Sequence, residues 1–236
     1  MSPDVATSTD DLKLRDGKGH IVNIAYLGVW DTVGALGIPE QLLGPIAKLW
    51  NWRYRFHDAE LSSLVRTARH AVALDERRVF YQPAFWDNMD DPKGNNKGDM
   101  SPNSPWQQLW FVGSHGIVGG SSLSEKLVAY PLEWILEGAK GLRLKDTARI
   151  PKERGDPSFE TKELTDPGLI YNIAPGLLEW RDPPKSPGEI HPSVAIRAQR
   201  LAGLYRPGTI MPVLTALLQA EQPMPMEEPR QAVRQA

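Results

Sequence analysis

The 236-residue chain has no cysteine, and this absence alone removes several kinds of chemistry. Disulfide bonds, thiolate metal sites and cysteine nucleophiles are all excluded. Charge of one sign is also lacking, because 27 Lys and Arg stand against 29 Asp and Glu without any basic block. Nucleic-acid binding needs a clustered cationic face, so no nucleic-acid partner is expected. We predict no cofactor, and no metal site either, because no His-x-x-x-His pair or comparable carboxylate cluster occurs.

Long hydrophobic runs are missing as well. The longest apolar stretches, such as Ile24–Trp30, are too short to span a bilayer, so no transmembrane segment is predicted. Residues 1–20 are polar and contain no apolar core of a signal peptide. A cytoplasmic location, or export without a signal peptide, is therefore expected. We predict a disordered lead over residues 1–20, a folded domain over 21–210 and a polar, disordered tail over 211–236.

Hydrophobic residues nevertheless make up 41% of the chain and include eight Trp, enough for a sizeable core. The apolar runs Ile21–Trp30 and Gln108–Gly113 predict strands buried on both faces of a parallel sheet. The region 145–190 is rich in Pro, Gly and charge and predicts irregular structure with short strand-like pieces such as Leu169–Ile173. Helices are predicted at Pro39–Trp50, at Asp58–Asp75, from Ser122 to Gly138 or Gly141 with a kink or early break at Pro131, and at His191–Tyr205.

Alternation of strands and helices indicates an α/β fold, with a mainly parallel sheet flanked by helices and a long irregular C-terminal region. Ligands of such sheets bind beyond the carboxyl ends of the strands. Asp31 and His115 each follow a predicted strand directly or nearly so, and both are therefore candidates for chemistry. From the residues alone, an Asp that merely caps a turn is the more common case, and a structural role for His115 is about as common as a catalytic one.

The remaining polar candidates have structural explanations. We predict that His70 lies in a helix and that His191, which precedes Pro192, is structural; His20 and His57 are weaker candidates still. A charged group is predicted to form ion pairs on and after the second helix: Arg69, Asp75, Glu76, Arg77 and Arg78.

Three blocks of sequence resemble a known family, the α/β-hydrolase domain typified by the type VI secretion phospholipase effectors. They are Leu27-Gly-Val-Trp-Asp-Thr-Val-Gly-Ala-Leu-Gly-Ile-Pro39, then Arg69-His-Ala-Val-Ala-Leu-Asp-Glu-Arg-Arg78, then Gln108-Leu-Trp-Phe-Val-Gly-Ser-His-Gly-Ile-Val-Gly-Gly120. The resemblance spans residues 21–210. It implies a Ser-His-Asp triad that hydrolyses carboxylic esters of lipids, with Asp31 as the acid and His115 as the base.

The sequence departs from the family pattern in two places. The family carries its serine in a Gly-x-Ser-x-Gly elbow upstream of the Asp block, and that motif occurs nowhere in this sequence. Ser114 approaches it only in having Gly at the second following position, and it adjoins the proposed base. The family pattern after the His is Ser-Asp-Val-Gly-Gly-Gly, whereas Gly116-Ile-Val-Gly-Gly-Ser121 stands here.

Three interpretations remain open at this point. The chain is the later part of a truncated or split hydrolase of incomplete α/β-hydrolase fold, inactive alone and completed by a second chain that carries the nucleophile. Alternatively, it is a catalytically inactive, degenerate paralogue that binds proteins or lipids, for which unpaired sheet edges would be suited. The third interpretation is a barely stable fragment from a frameshifted gene.

Overall fold

The computed structural model describes part of the chain. The helix predicted at Pro39–Trp50, and also His20 and His57, lie outside the described residues. The predicted lead 1–20 lies outside them too. The described residues are 24–33, 60–120, 125–143, 145, 155–159, 164, 168–201 and 204–219.

Three parallel strands form a sheet in the order β1-β2-β3: β1 at Ile24–Trp30, β2 at Val65–Ala73 and β3 at Trp106–Phe111. Trp30 lies beside Ala71, and Ala73 lies beside Phe111. The three strands thus end together at one edge of the sheet. This sheet confirms the predicted α/β class and the positions of the two predicted strands, in an arrangement consistent with an incomplete α/β fold. The predicted burial on both faces is wrong for β1: none of its residues is buried, because β1 is the edge strand of the described sheet.

The middle strand corrects the sequence prediction, which gave a helix over Asp58–Asp75. The prediction relied on apolar residues at helical spacing, but β2 pairs with a neighbour on both sides and so satisfies its backbone groups in the sheet. The small side chains of Ala68, Ala71 and Ala73 are fully buried. Tertiary packing therefore overrides the local helical pattern of this segment. His70 accordingly lies in a strand, where a helix was predicted.

Helices and turns surround the sheet. Short 3-10 turns occur at Val79–Tyr81, Pro175–Leu177, Pro187–Glu189 and Gly208–Ile210. The α-helices are α1 at His115–Val118, α2 at Glu125–Gly138, α3 at Leu169–Ile173, α4 at Pro192–Arg200 and α5 at Leu214–Gln219.

The two helices predicted after β3 are confirmed in α2 and α4. In α4, Pro192 occupies the first turn and the side chain of His191 caps it by accepting the backbone N–H of Ser193. The early break considered at Pro131 does not occur, because α2 continues to Gly138. Proline inside a helix costs about 3 kcal/mol, which burial of the apolar face of α2 offsets. That buried face comprises Leu127, Tyr130, Trp134 and Ile135.

One prediction for the C-terminal part is wrong. Leu169–Ile173 was predicted to be strand-like but forms α3, which begins where the carbonyl of Gly168 accepts the N–H of Tyr171 and Asn172. A strand needs a neighbour to pair with, and no described strand lies beside it. The tail predicted as disordered over 211–236 contains α5, and the residues after 219 lie outside the described part. The predicted domain limits stay predictions.

The main core lies between the sheet and the helices α1, α2 and α4. Its fully buried members include Val72, Phe111, Ile117 and Val194. A smaller cluster at the opposite end of the sheet surrounds Trp106, whose indole N–H donates to the carbonyl of Val65 at 2.8 Å. The carboxyl ends of the strands, in contrast, pack in the larger core. Among the described residues, no helix is long and apolar enough to cross a membrane.

Candidate active site

Asp31 occupies the first position after β1 and adopts an unusual backbone conformation. Its φ is +41°, in the left-handed region that few residues other than glycine enter and in which Asp is over-represented. Its N–H donates to the carbonyl of Ala71 at 2.7 Å, so the turn stays attached to β2. The side chain is completely buried. A left-handed Asp at a strand end turns its carboxylate back across the sheet edge, and such strain is concentrated at functional sites.

His115 contacts this carboxylate directly. Its Nδ1 lies 2.7 Å from Oδ2 of Asp31, and 30% of the His115 side chain is exposed. The histidine is the first residue of α1, and its backbone N–H donates to Oε2 of Glu76 at 3.0 Å. Two residues separated by 84 positions are thus brought together because β1 and β3 end at the same edge of the sheet.

The loop that carries His115 depends on a glycine at its start. Gly113 has φ +135°, and a Cβ there would lie 2.7 Å from Cγ2 of Ile117. The N–H of Gly113 donates to Asp75 at 2.7 Å, and the hydroxyl of Tyr205 donates to the same carboxylate. Ile117 is fully buried. The second residue after His115 is therefore a core side chain that packs against Gly113.

A residue that sequence reasoning missed, Arg181, completes the surroundings of Asp31. Its guanidinium donates through Nη1 to Oδ1 at 2.6 Å and through Nη2 to Oδ2 at 2.9 Å, and the side chain is almost wholly buried. The backbone N–H of Ala73 donates to Oδ1 at 2.8 Å. Arg181 lies 150 positions from Asp31 in an irregular segment, so periodicity and local motifs gave no signal for it.

These contacts determine the charge of the site. Burial opposes ionisation of Asp31, but the hydrogen bonds from Arg181 and His115, the positive charge of Arg181 and the Ala73 N–H outweigh it and lower the pKa of Asp31 to about 2. Asp31 is consequently a carboxylate at neutral pH and can only accept hydrogen bonds. The proton between Asp31 and His115 therefore resides on Nδ1 when the imidazole is neutral, which leaves the Nε2 lone pair free to accept a proton.

A second carboxylate, Glu76, supports the histidine from the other side. Its oxygens accept from the backbone N–H groups of Arg77, Arg78 and His115, and also from the guanidinium of Arg78 at 2.7 and 2.8 Å. Burial alone would raise the pKa of Glu76, but these donors lower it below its ordinary value. The predicted ion pairing is thus confirmed for Glu76 and Arg78, although the pair follows a strand and not a helix.

An aromatic ring lies against the imidazole. The centroids of the Tyr81 and His115 rings are 4.7 Å apart, and the guanidinium of Arg78 lies 4.2 Å from the centroid of the Tyr81 ring. Tyr81 belongs to the 3-10 turn that follows β2. The ring therefore limits the orientations that His115 can take, while 30% of the His115 side chain remains exposed.

His70 has a supporting role in the same edge. It is fully buried in β2, its Nε2 accepts the backbone N–H of Thr32 at 3.2 Å, and its Nδ1 lies 3.0 Å from Oε1 of Gln108. Because Nε2 accepts, Nδ1 carries the proton and donates to Gln108. Burial lowers the pKa of His70, which favours this neutral form. His70 thus fixes the turn just after Asp31.

The other residues discussed from the sequence either lie away from the Asp31–His115 contact or form no side-chain contact that indicates catalysis. His191 stacks on Phe111 with ring centroids 4.4 Å apart, as befits its predicted structural role. Ser114 precedes α1, and its side chain does not cap the helix. Across the described residues, no group of three or more His, Asp or Glu side chains could hold a metal ion.

The family model described as the type VI secretion system (T6SS) phospholipase effector Tle1-like catalytic domain matches residues 5–138. This segment contains the three described strands, Asp31, His115 and α2, but it ends before Arg181. No curated protein and no solved structure matched the chain.

Proposed function

This chain belongs to the Tle1-like phospholipase effector family of type VI secretion systems, and from that premise we propose that Asp31 and His115 are the acid and base of a lipid-ester hydrolase. The substrate class is carboxylic esters of lipids, as the family description suggests. The reaction requires a hydroxyl nucleophile, a base that removes its proton and a carboxylate that orients the base.

The observation that carries the proposal is the 2.7 Å contact between Nδ1 of His115 and Oδ2 of a buried, ionised Asp31. In the proposed reaction a serine hydroxyl attacks the ester carbonyl and Nε2 of His115 takes the proton. Asp31 stabilises the imidazolium that results, and His115 then returns the proton to the leaving alcohol. Water repeats the same cycle on the acyl-enzyme.

We propose further that the attacking serine is supplied from outside these 236 residues, by a preceding segment or a second chain. No Gly-x-Ser-x-Gly occurs in the sequence, and Ser114 adjoins His115 in the chain. Among the described strands, β1 pairs on one side only, and Ile24 at its start is exposed. Strands that carry the serine could therefore extend the sheet at this edge, because an unpaired edge readily accepts another strand.

Hydrolysis of phosphatidylcholine vesicles and of a p-nitrophenyl ester tests both parts. We expect no His115-dependent hydrolysis by the 236 residues alone. Together with a polypeptide that contains the family's elbow, hydrolysis should appear. His115→Gln should then reduce its kcat by roughly four to six orders of magnitude.

Two results would contradict the proposal in different ways. If the 236 residues alone hydrolyse the ester and His115→Gln abolishes the activity, the nucleophile lies within this sequence. If the complemented enzyme is unaffected by His115→Gln, the Asp31–His115 contact is not its acid and base. Asp156→Asn, on an exposed carboxylate remote from His115 in sequence, serves as the matched control.

The second candidate function is a catalytically inactive module that binds lipid or protein. The observation in its favour is the His115 loop, where the buried Ile117 replaces a polar residue of the family pattern. This candidate predicts vesicle or partner binding that Asp31→Asn and His115→Gln leave unchanged. A complemented enzyme whose hydrolysis depends on both residues would exclude it.

A further inference from the structure

We infer that Arg181 is the positioning residue of the proposed acid–base pair: it clamps Asp31 so that one carboxylate oxygen faces His115, and it completes the site from a part of the chain beyond the matched catalytic segment. The inference rests on the proposed function of Asp31 and His115. It starts from geometry, because both guanidinium nitrogens Nη1 and Nη2 bind the two oxygens of Asp31.

The bidentate contact fixes the plane of the carboxylate. Oδ1 accepts from Arg181 and from the backbone of Ala73, whereas Oδ2 accepts from Arg181 and from His115. Paired donors of a guanidinium match the geometry of a carboxylate and resist its rotation. Without Arg181, rotation about the Cβ–Cγ bond would be opposed by single hydrogen bonds only, and Oδ2 would no longer be held toward Nδ1.

The same guanidinium connects two further parts of the site. Nη1 donates to the carbonyl of Ala73 at 2.6 Å, and Nη2 donates to the carbonyl of Tyr81. Ala73 is the last residue of β2, and the ring of Tyr81 lies against His115 at a tilt of 40°. Arg181 therefore holds the acid, the end of the central strand and the residue that restrains the base.

Backbone pairing determines where Arg181 lies. Leu178 forms an antiparallel bridge with Arg78, and the N–H of Glu179 donates to the carbonyl of Arg77 at 2.7 Å. Trp180 packs against Gly208 so closely that a Cβ on this glycine would lie 2.4 Å from the indole. The segment that contains Arg181 is thus hydrogen-bonded to the chain between β2 and Tyr81. This segment begins 40 residues after the family match ends at residue 138 (178 − 138).

Electrostatics support the assignment. Among the described residues, the titratable or charged groups that interact with Asp31 are Arg181, His115 and His70, of which Arg181 carries a permanent charge. Burial alone would raise the pKa of Asp31, because a buried carboxylate without a neighbouring cation tends to take up a proton. A protonated Asp31 could not stabilise an imidazolium.

Titration of the Asp31 carboxyl carbon by ¹³C NMR tests the inference without any need for hydrolytic activity. In the unsubstituted chain we expect a pKa of about 2. Arg181→Gln should raise it by about 1 to 3 pH units, because a neighbouring Arg lowers an Asp pKa by that amount. Arg181→Lys keeps the charge without the paired donors and should give an intermediate value. Arg200→Gln, which removes an exposed Arg–Asp pair, should leave Asp31 unchanged.

Each outcome supports or overturns the inference. An ordinary Asp pKa near 3.8 in the unsubstituted chain would overturn it even if no Arg181 variant folds. An unchanged Asp31 titration in a folded Arg181→Gln variant would overturn it as well. If Asp31 responds to Arg181→Gln but the complemented enzyme does not depend on His115, Arg181 positions Asp31 and the proposed hydrolase function alone is wrong.

Discussion

Two aspartates of this protein have the same pKa, about 2, in opposite surroundings. Asp31 is buried, and its pKa of about 2 results from donors that outweigh a large burial effect, Arg181 foremost among them. Asp156 is exposed, and its pKa, also about 2, is lowered first by the side-chain and backbone donors of Ser158, with Arg200 contributing less. Arg200 lies 2.7 Å from Asp156, but both side chains are more than half exposed.

Neither a short ion pair nor a low pKa by itself therefore identifies a functional carboxylate. The low pKa of Asp156 requires only the hydrogen bonds from Ser158, two residues away in the same turn. Asp31 needs β1, β3 and the segment before α4 to meet at one place, because its partners lie 84 and 150 residues away. Solvent screens the first pair, whereas the second is removed from water and depends on its partners for compensation.

The largest expected difference between the two sites is in stability. Asp31→Ala leaves the guanidinium of Arg181 buried without a counter-charge, and such a change costs about 3–5 kcal/mol of unfolding free energy. Asp156→Ala removes an exposed pair, which is worth about 1 kcal/mol or less. Urea unfolding of the two variants beside the unsubstituted chain measures both values. Equal losses would contradict the distinction between the sites.

Acid should weaken the Asp31 site within a defined pH range. The folded-state pKa of about 2 lies below the ordinary value of 3.8, so the contribution of Asp31 to stability is complete above about pH 4 and is lost as the pH falls toward 2. The linked change is roughly 2 kcal/mol. The difference in urea midpoint between the unsubstituted chain and Asp31→Asn should therefore be smaller at pH 2.5 than at pH 5. An equal difference at both pH values would show that Asp31 does not carry this linkage.

Salt should produce the smallest effect and should act on the exposed pair. At 1 M salt the screening length is about 3 Å, so Asp156 and Arg200 should lose what little they contribute, a few tenths of a kcal/mol. A double-mutant cycle on Asp156 and Arg200 at low and high salt measures the change. The corresponding coupling of Asp31 and Arg181 should keep most of its value in high salt; an equal loss in both pairs would place Asp31 in contact with solvent.

The same contrast explains what could be predicted from sequence. The strands before Asp31 and His115 were predictable because runs of apolar and β-branched residues favour strands, although β1 is less buried than such a run suggests. The family resemblance drew attention to the two residues that the fold then brings together. The strand β2 was mistaken for a helix because its apolar positions satisfy helical spacing, and only pairing with β1 and β3 decides between the two. Arg181 was unpredictable because its partners are set by tertiary contacts alone.

The position of one proton tests the central claim most directly. ¹⁵N NMR of the imidazole, assigned by comparison with His115→Gln, reports which nitrogen of neutral His115 carries hydrogen. We predict a proton on Nδ1, held by Asp31, and a free lone pair on Nε2. A neutral His115 protonated on Nε2 would contradict the account, because it could neither donate to Asp31 nor accept a proton from a nucleophile.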